Sequence, residues 1–302
     1  MIADTNRPLS AALTMITGMF IIGFIDNFVA VVSGTVGLWQ FHLMRTILMM
    51  PLIWGLSRMG LGAFWPKSWV PVLGRSFLLA ASMFLYFGAL GFMSIAQAVA
   101  GLFTSPIFIL LIHVFFMGQR VGPWRILAVL MGFAGVLLVL QPGGEGTSVW
   151  MLMPVAAGVL YAISAIATRS WCEGESTVAL LAGTMGMLGA LGGVALVVVE
   201  FLGLESVPGS AGFMTRGWVW PVWEIAPVML LQAVGSMVGV FFLIRAYQLD
   251  EASFVSVFEY SLMIFGPLFG LLLFNQPLGL WQVLGIAMIA TSGVIIAIRS
   301  ER

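Results

Sequence analysis

Ten long apolar runs, separated by short clusters of Gly, Pro and charged residues, set the pattern of this chain. They cover residues 10–34, 36–57, 70–92, 94–117, 122–140, 149–169, 178–202, 222–246, 252–274 and 279–298. Each is close to the roughly 20 residues that an α-helix needs to cross a hydrocarbon core of about 30 Å. The runs lack the two-residue alternation of barrel strands, and backbone groups in lipid must bond within their own segment, so helices are predicted. The expectation is an all-α membrane protein with ten transmembrane helices.

Composition agrees with this: 61% of the 302 residues are apolar and 8% are charged, against roughly a quarter charged in a soluble domain. The formal net charge is zero, and no Lys/Arg-dense stretch marks a nucleic-acid footprint. A single cysteine, Cys172, excludes an intramolecular disulfide and a cysteine-pair metal site. The N-terminal residues run into the first apolar stretch without a basic leader or a small-residue cleavage site, so that stretch is read as the first span. Lys and Arg are retained on the cytoplasmic side. Arg7, Arg58, Lys67, Arg75, Arg120, Arg125, Arg169, Arg245, Arg299 and Arg302 fall on one side of a ten-span arrangement, with Arg216 opposite. Both termini are therefore expected in the cytoplasm, and the chain in the cell (inner) membrane. Arg75, Arg120, Arg125 and Arg169 are read as orienting residues that snorkel to head groups.

The halves resemble each other. Val121-Gly122-Pro123-Trp124-Arg125-Ile126-Leu127 corresponds to Leu278-Gly279-Leu280-Trp281-Gln282-Val283-Leu284, each opening the last span of its half. Gly135-Val136 and Gly293-Val294 close the two segments. With five spans per half, the second half enters the membrane from the opposite side. Inverted repeats of this kind build many secondary transporters, with the substrate site near the midplane between the halves.

Across nearly its whole length the chain resembles the drug/metabolite transporter superfamily, specifically its ten-helix members with two EamA-type repeats. The resemblance rests on Arg75, Phe87-Gly88-Ala89-Leu90, Thr104-Ser105-Pro106 and the stretch from Gly118 to Gly135 in the first half. In the second it rests on Thr168-Arg169, Ala246-Tyr247, Phe258-Glu259-Tyr260 and Gly293-Val294. It implies a first EamA repeat over residues 1–141, with helices 1–5, and a second over 142–302, with helices 6–10. Asp26, Arg45 and Phe258-Glu259-Tyr260 are similar to an S-adenosylmethionine-transporter-like branch. Gly118-Gln119 and Asn275-Gln276 depart from the Gly-Glu pair usual before helices 5 and 10, and Ala30 and Val31 stand where a basic residue is common.

Ionisable residues inside a span cost about 2.5–3.5 kcal/mol on insertion scales and therefore point to partners or function. Asp26, with Asn27 beside it, and Arg45 both lie roughly 12–14 Å beneath the outer surface, in reach of a salt bridge that either staples the first two helices or clamps a charged substrate. His42, Arg45, Thr46 and Met49 share one helix face. In the ninth span Ser253, Ser256, Glu259 and Tyr260 lie on one side; Glu259 is expected to hold a substrate cation, take up a proton, or pair with Arg245 or Gln232. Further candidates are Tyr86 with Ser82, Gln97 and Thr104 with Ser105, Tyr161 with Ser164 and Thr168, and Gln232 with Ser236, most of their hydroxyls being expected to bond to their own helix or a neighbour. Pro106 and Pro267 are expected to kink their helices without unwinding them. Gly189–Gly193, Gly235–Gly239 and Gly266–Gly270 have the spacing of close helix contacts.

The reading is a secondary transporter that moves a small zwitterionic or cationic metabolite by alternating access, through a central site between helices 1–4 and 6–9. No Walker-type phosphate loop appears, so ATP is not invoked. The alternatives are a membrane enzyme, for which the sequence has no catalytic constellation, and a sensor that binds a metabolite or lipid without moving it. No cofactor or metal is expected. The partners are the substrate and the bilayer, with a proton or an exchanged metabolite as driver and a homodimer left open.

Overall fold

The computed structural model describes residues 7–89, 93, 95–141, 150, 152–204, 208–209 and 212–299. Thirteen α-helices are present among them: α1 Pro8–Asp26, α2 Val29–Thr35, α3 Leu38–Arg58, α4 Trp69–Ala89, α5 Ile95–Leu102, α6 Ser105–Phe115, α7 Pro123–Leu140, α8 Leu152–Ser170, α9 Thr177–Leu202, α10 Ala226–Leu249, α11 Ala252–Val255, α12 Leu262–Phe274 and α13 Leu280–Arg299. A 3₁₀ stretch, Ser256–Ser261, joins α11 to α12. Nine of the helical segments are long and apolar enough to cross a membrane. α3 has the length but carries His42 and Arg45. The protein is multi-pass.

Three expected spans are interrupted. The first breaks at Asn27-Phe28, the fourth at Phe103-Thr104 and the ninth at the 3₁₀ stretch. Pro106 thus marks a real break, seated in the first turn of α6, where a missing N–H costs nothing. This corrects the expectation that Pro106 kinks its helix without unwinding it, whereas Pro267 lies within the continuous α12 and the unwinding of that span precedes it. The eighth span opens with a 3₁₀ turn, Trp223–Ile225, within a residue of the expected start, and turns α-helical at Ala226 with Pro227 in the first turn. The expected start of the sixth span at 149, the boundary between halves at 141/142, Leu90 and Arg302 lie outside the described residues.

The most extensive helix contacts are α7 with α13, α1 with α10, α4 with α8 and α3 with α9. α7 and α13 pack backbone to backbone: a Cβ at Gly285 would lie 2.5 Å from Gly135 O. Gly235 and Gly239 receive Ile25 and Ile22 of α1, and Gly189 receives Thr46. At Gly266 a Cβ would meet nothing within 4 Å, but its backbone faces α1, where a Cβ on Gly23 would lie 3.0 Å from Gly266 N, so α1 and α12 also approach closely there.

Lys67 and the helix ends that carry Arg125 and Arg169 gather at one end of the bundle, where the backbone N–H of Arg7 also donates to Leu249 O. Lys67 N and Ser68 N donate to Glu175 there, Arg125 pairs with Glu251 and Arg169 with Asp250. A dense apolar cluster that includes Met15, Leu110, Tyr247, Phe254 and Phe258 lies behind this basic end. At the opposite end Arg216 is buried and donates to Ser33 O, Val36 O and Gly209 O, a cation on the terminal carbonyls of α2. Arg75 corrects an expectation: it is 1% exposed and does not snorkel. It donates to Thr168 Oγ1 at 3.0 Å and to Thr184 Oγ1.

Candidate functional site

A cavity of about 450 Å³ opens in the middle of the bundle, within the size range of pockets for drug-sized ligands. Its walls come from α1, α3, α4, α5, α6, α8, α9, α10, the 3₁₀ stretch and α12; α7 and α13 contribute nothing. All three interrupted spans bring their breaks to it, Asn27 from the first, Phe103 and Ser105 from the fourth and Glu259 and Leu262 from the ninth. Broken helices free backbone groups from the helical ladder, which is tolerated at membrane depth where the backbone is buried in protein or lines a cavity.

Seven of the twelve sequence candidates line this cavity: Asp26, Asn27, His42, Arg45, Tyr86, Tyr161 and Glu259. Asp26 closes α1 and is exposed to the cavity, with no hydrogen bond or ion pair to another described residue. The expected salt bridge to Arg45 is therefore absent among the described residues. Arg45 instead donates to Ser236 Oγ at 3.3 Å and to His42 Nδ1 at 3.1 Å, and stands 4.9 Å above the Phe41 ring. A guanidinium only donates, so Nδ1 of His42 accepts and its imidazole carries its proton on Nε2. Asn27 donates to Gly23 O at 2.7 Å and Gly266 O at 3.2 Å, tying the end of α1 to α12.

Glu259 is 4% exposed. Tyr161 Oη of α8 and Tyr247 Oη of α10 both donate to its Oε1, at 2.6 and 2.7 Å. Its partners are these two hydroxyls and neither Arg245, which is exposed, nor Gln232. With both donors on one oxygen, Oε2 is left for the cavity.

The other five candidates do not line the cavity. Gln232 donates to Ile25 O at 2.5 Å and is spent on joining α10 to α1. Thr104 bonds back to Gly101 O at 2.5 Å and packs against Gly158. Tyr260 is fully buried, its ring against Gly132 and 6.0 Å from Phe103. Ser256 is buried with an unpartnered Oγ, and Gln97 is half-buried on α5 outside the lining. The 3₁₀ winding explains one of these: with three residues per turn Glu259 stacks one turn beyond Ser256, and Tyr260 is turned off the face that all three would share in a regular helix.

Sequence reasoning missed Thr184, Phe87, Phe103 and the methionines Met19, Met83, Met185 and Met263, all of which line the cavity. Apolar residues in a chain this apolar carry no signal. Thr184 had one, since the buried Arg75 requires an acceptor. Around the cavity His42 meets Phe87 edge-on at 5.2 Å, and Tyr86 and Phe87 are 4.9 Å apart. Among the described residues no cluster of His, Cys, Asp and Glu could hold a metal ion.

A lipid-facing helical bundle around a central cavity with a few polar groups is the build of a membrane transporter. The model of the EamA-like transporter family matches residues 9–141. A riboflavin transporter of Rhizobium johnstonii is 30% identical over 87% of this chain and 80% of its own length. A riboflavin transporter of Brucella anthropi is 24% identical over 80% of each, and an S-adenosylmethionine uptake transporter of Rickettsia bellii is 24% identical over 67% of this chain and 63% of its own. A protein crystal structure superposes with a TM-score of 0.76 at 19% identity, over 97% of this chain and 99% of the other, so the fold is shared. The chain belongs to the EamA-like transporter family of the drug/metabolite transporter superfamily. It is a transporter of a small metabolite and not an enzyme.

Proposed function

We propose that the chain is a secondary transporter that moves a flat heteroaromatic metabolite with a polar tail, riboflavin first, through the central cavity by alternating access. The lining carries this reading. Tyr86, Phe87, Phe103 and Tyr161 offer ring faces and Met19, Met83, Met185 and Met263 adaptable apolar contact, while the polar groups are few and concentrated. Two acids, Asp26 and Glu259, are balanced by Arg45 on the cavity and Arg75 behind Thr184. That balance suits a neutral ligand whose imide N–H and hydroxyls donate to Glu259 Oε2 and Asp26. The two riboflavin-transporting relatives described above support it.

A cationic adenosyl metabolite is the second reading, favoured by the unpaired carboxylate of Asp26 and by the Rickettsia relative. Counterflow of labelled riboflavin into proteoliposomes, with S-adenosylmethionine and a zwitterionic amino acid as competitors, separates them. Riboflavin-specific, saturable uptake supports the first reading; uptake that only S-adenosylmethionine blocks replaces it with the second.

The two halves act in this reading as inverted repeats, residues 1–141 and 142–302. The contact pairs support it: exchanging spans 1–5 with 6–10 turns α1 with α10 into α8 with α4, and leaves α3 with α9 and α7 with α13 unchanged. The family match ending at residue 141 fits the same division. The cavity runs from an exposed Asp26 to a buried Glu259, backed by the apolar cluster at the basic end, which is the form expected of an outward-facing carrier. By the positive-inside rule that basic end faces the cytoplasm, with both termini, in the cell inner membrane.

A further inference from the structure

Among the described residues Ser76 Oγ, Ser256 Oγ and His113 Nδ1 are deeply buried without a hydrogen-bond partner, and the last two lie on elements that pack against each other on the basic side of the cavity. Ser256 is 0% exposed and His113 4%. Leaving such a group unsatisfied costs about 1–3 kcal/mol, and two in one apolar region call for a functional or solvent explanation. Their placement is ordered. Ser256 precedes Glu259 by one turn of the 3₁₀ stretch, about 6 Å. α6, which carries His113 near its end, packs against both α11 and the 3₁₀ stretch. The charges of Glu251 and Arg125 act on His113. Those two residues pair at 2.5 Å, Arg125 also donates to Ser253 Oγ at 2.9 Å, and both are partly exposed at the basic end.

We propose that Glu259, Ser256 and His113 form a proton path between the central cavity and the basic face, and that transport is coupled to protons through it. This rests on the carrier reading above. Glu259 takes a proton at Oε2 from the cavity. None of these three side chains is hydrogen-bonded to another, so the proton passes through a bridging water to the Ser256 oxygen, and the hydroxyl gives its own proton onward, again through water, to His113 Nδ1. The imidazolium then releases its Nε2 proton toward Glu251 and bulk water, leaving the Nδ1–H tautomer; proton exchange through water restores Nε2–H and the Ser256 hydroxyl turns back, with one proton moved. The two tyrosines hold the carboxylate at the head of this file. The titratable groups facing Glu259 are Tyr161 from α8, Tyr247 from α10 and Tyr260 from its own turn, with Asp26 and Arg45 on the same cavity and Arg75 behind Thr184. Those acting on His113 are Glu251 and Arg125.

Full-length protein in liposomes tests this with three readings: riboflavin counterflow at equal pH, riboflavin accumulation under an imposed pH gradient, and decay of that gradient followed by an entrapped pH dye. Wild type accumulates riboflavin and dissipates the gradient. Ser256→Ala and His113→Gln keep counterflow within about twofold and slow both proton-linked readings by at least about tenfold. Ser256→Ala removes the unpartnered oxygen and so carries little folding risk. Variants with wild-type accumulation and dye decay overturn the path. Absent counterflow in the wild type refutes the substrate reading alone, and the dye decay then decides: equal rates in wild type and His113→Gln vesicles overturn the path, and a slower variant supports it.

Discussion

Removing the hydroxyls that hold Glu259 has a calculable consequence. Tyr161 and Tyr247 each donate to Oε1, at 2.6 and 2.7 Å, and a hydrogen bond to a charged group contributes about 1.5–3 kcal/mol. Tyr161→Phe and Tyr247→Phe keep the rings and delete one donor each. Were a donor fully lost to the binding geometry, affinity would fall roughly 10- to 100-fold. Because both donors converge on one oxygen, the surviving tyrosine still aims the carboxylate in each single variant. The single losses should therefore be the smaller part of the effect, and the double variant should exceed their product, with a coupling of about 0.5–3 kcal/mol. The assay is a double-mutant cycle on riboflavin Kd, read by ligand fluorescence, with counterflow KM beside it and Tm as a control for folding. In a Glu259→Gln background the same tyrosine substitutions should change Kd by less than about threefold. A double variant equal to the product of the singles, or the same losses in the Gln background, refutes the idea that the tyrosines act through this carboxylate.

Other consequences are simpler. Gly285→Ala would bring a Cβ to 2.5 Å from Gly135 O and 2.8 Å from Val139 Cγ2, so α13 must move off α7; the overpacking should cost about 1–3 kcal/mol, seen as a lower Tm in detergent. Arg216→Met removes the donor from the α2 carbonyls of Ser33 and Val36; a loss of about 1–3 kcal/mol is expected in the same assay, with substrate Kd little changed. Burial lifts the carboxyl of Asp250 above the ordinary carboxylate range, against the pull of Arg169. A group raised on folding stabilises most below its unfolded value and loses that contribution as pH rises through its folded one. Tm of the wild type should therefore fall as pH rises from about 4, and Asp250→Asn should flatten that slope; an identical slope in the variant contradicts the assignment.

Much of this architecture was legible because bilayer thickness imposes segment length directly on composition. The helix ends are shaped where local chemistry intervenes, as Pro227 shows in the first turn of α10, after the 3₁₀ turn that opens the span. The breaks were only half legible. Pro106 announced the one in the fourth span, whereas Ser256–Ser261 has no proline or glycine, and its 3₁₀ winding is fixed by packing against α1, α6, α7 and α13. The site followed the same rule. Intramembrane ionisable residues pointed to the cavity, with Asp26, His42, Arg45 and Glu259 all on its wall. Hydroxyl and amide residues pointed less well, because Gln232 and Thr104 are as readily consumed by helix contacts as by a ligand. Arg75 was misplaced because a charge near a span end reads as snorkelling unless its acceptors, Thr168 and Thr184 on other helices, are known.

The central claim is that substrate passes through this cavity, and Gly266 permits a direct test. It lines the cavity, and a Cβ there meets nothing within 4 Å, so Gly266→Trp fills the space a ligand would occupy while leaving the helix contacts in place. In proteoliposomes the wild type should show saturable riboflavin counterflow and Gly266→Trp should show none, at unchanged Tm. Transport at the wild-type rate through the filled variant would contradict the account.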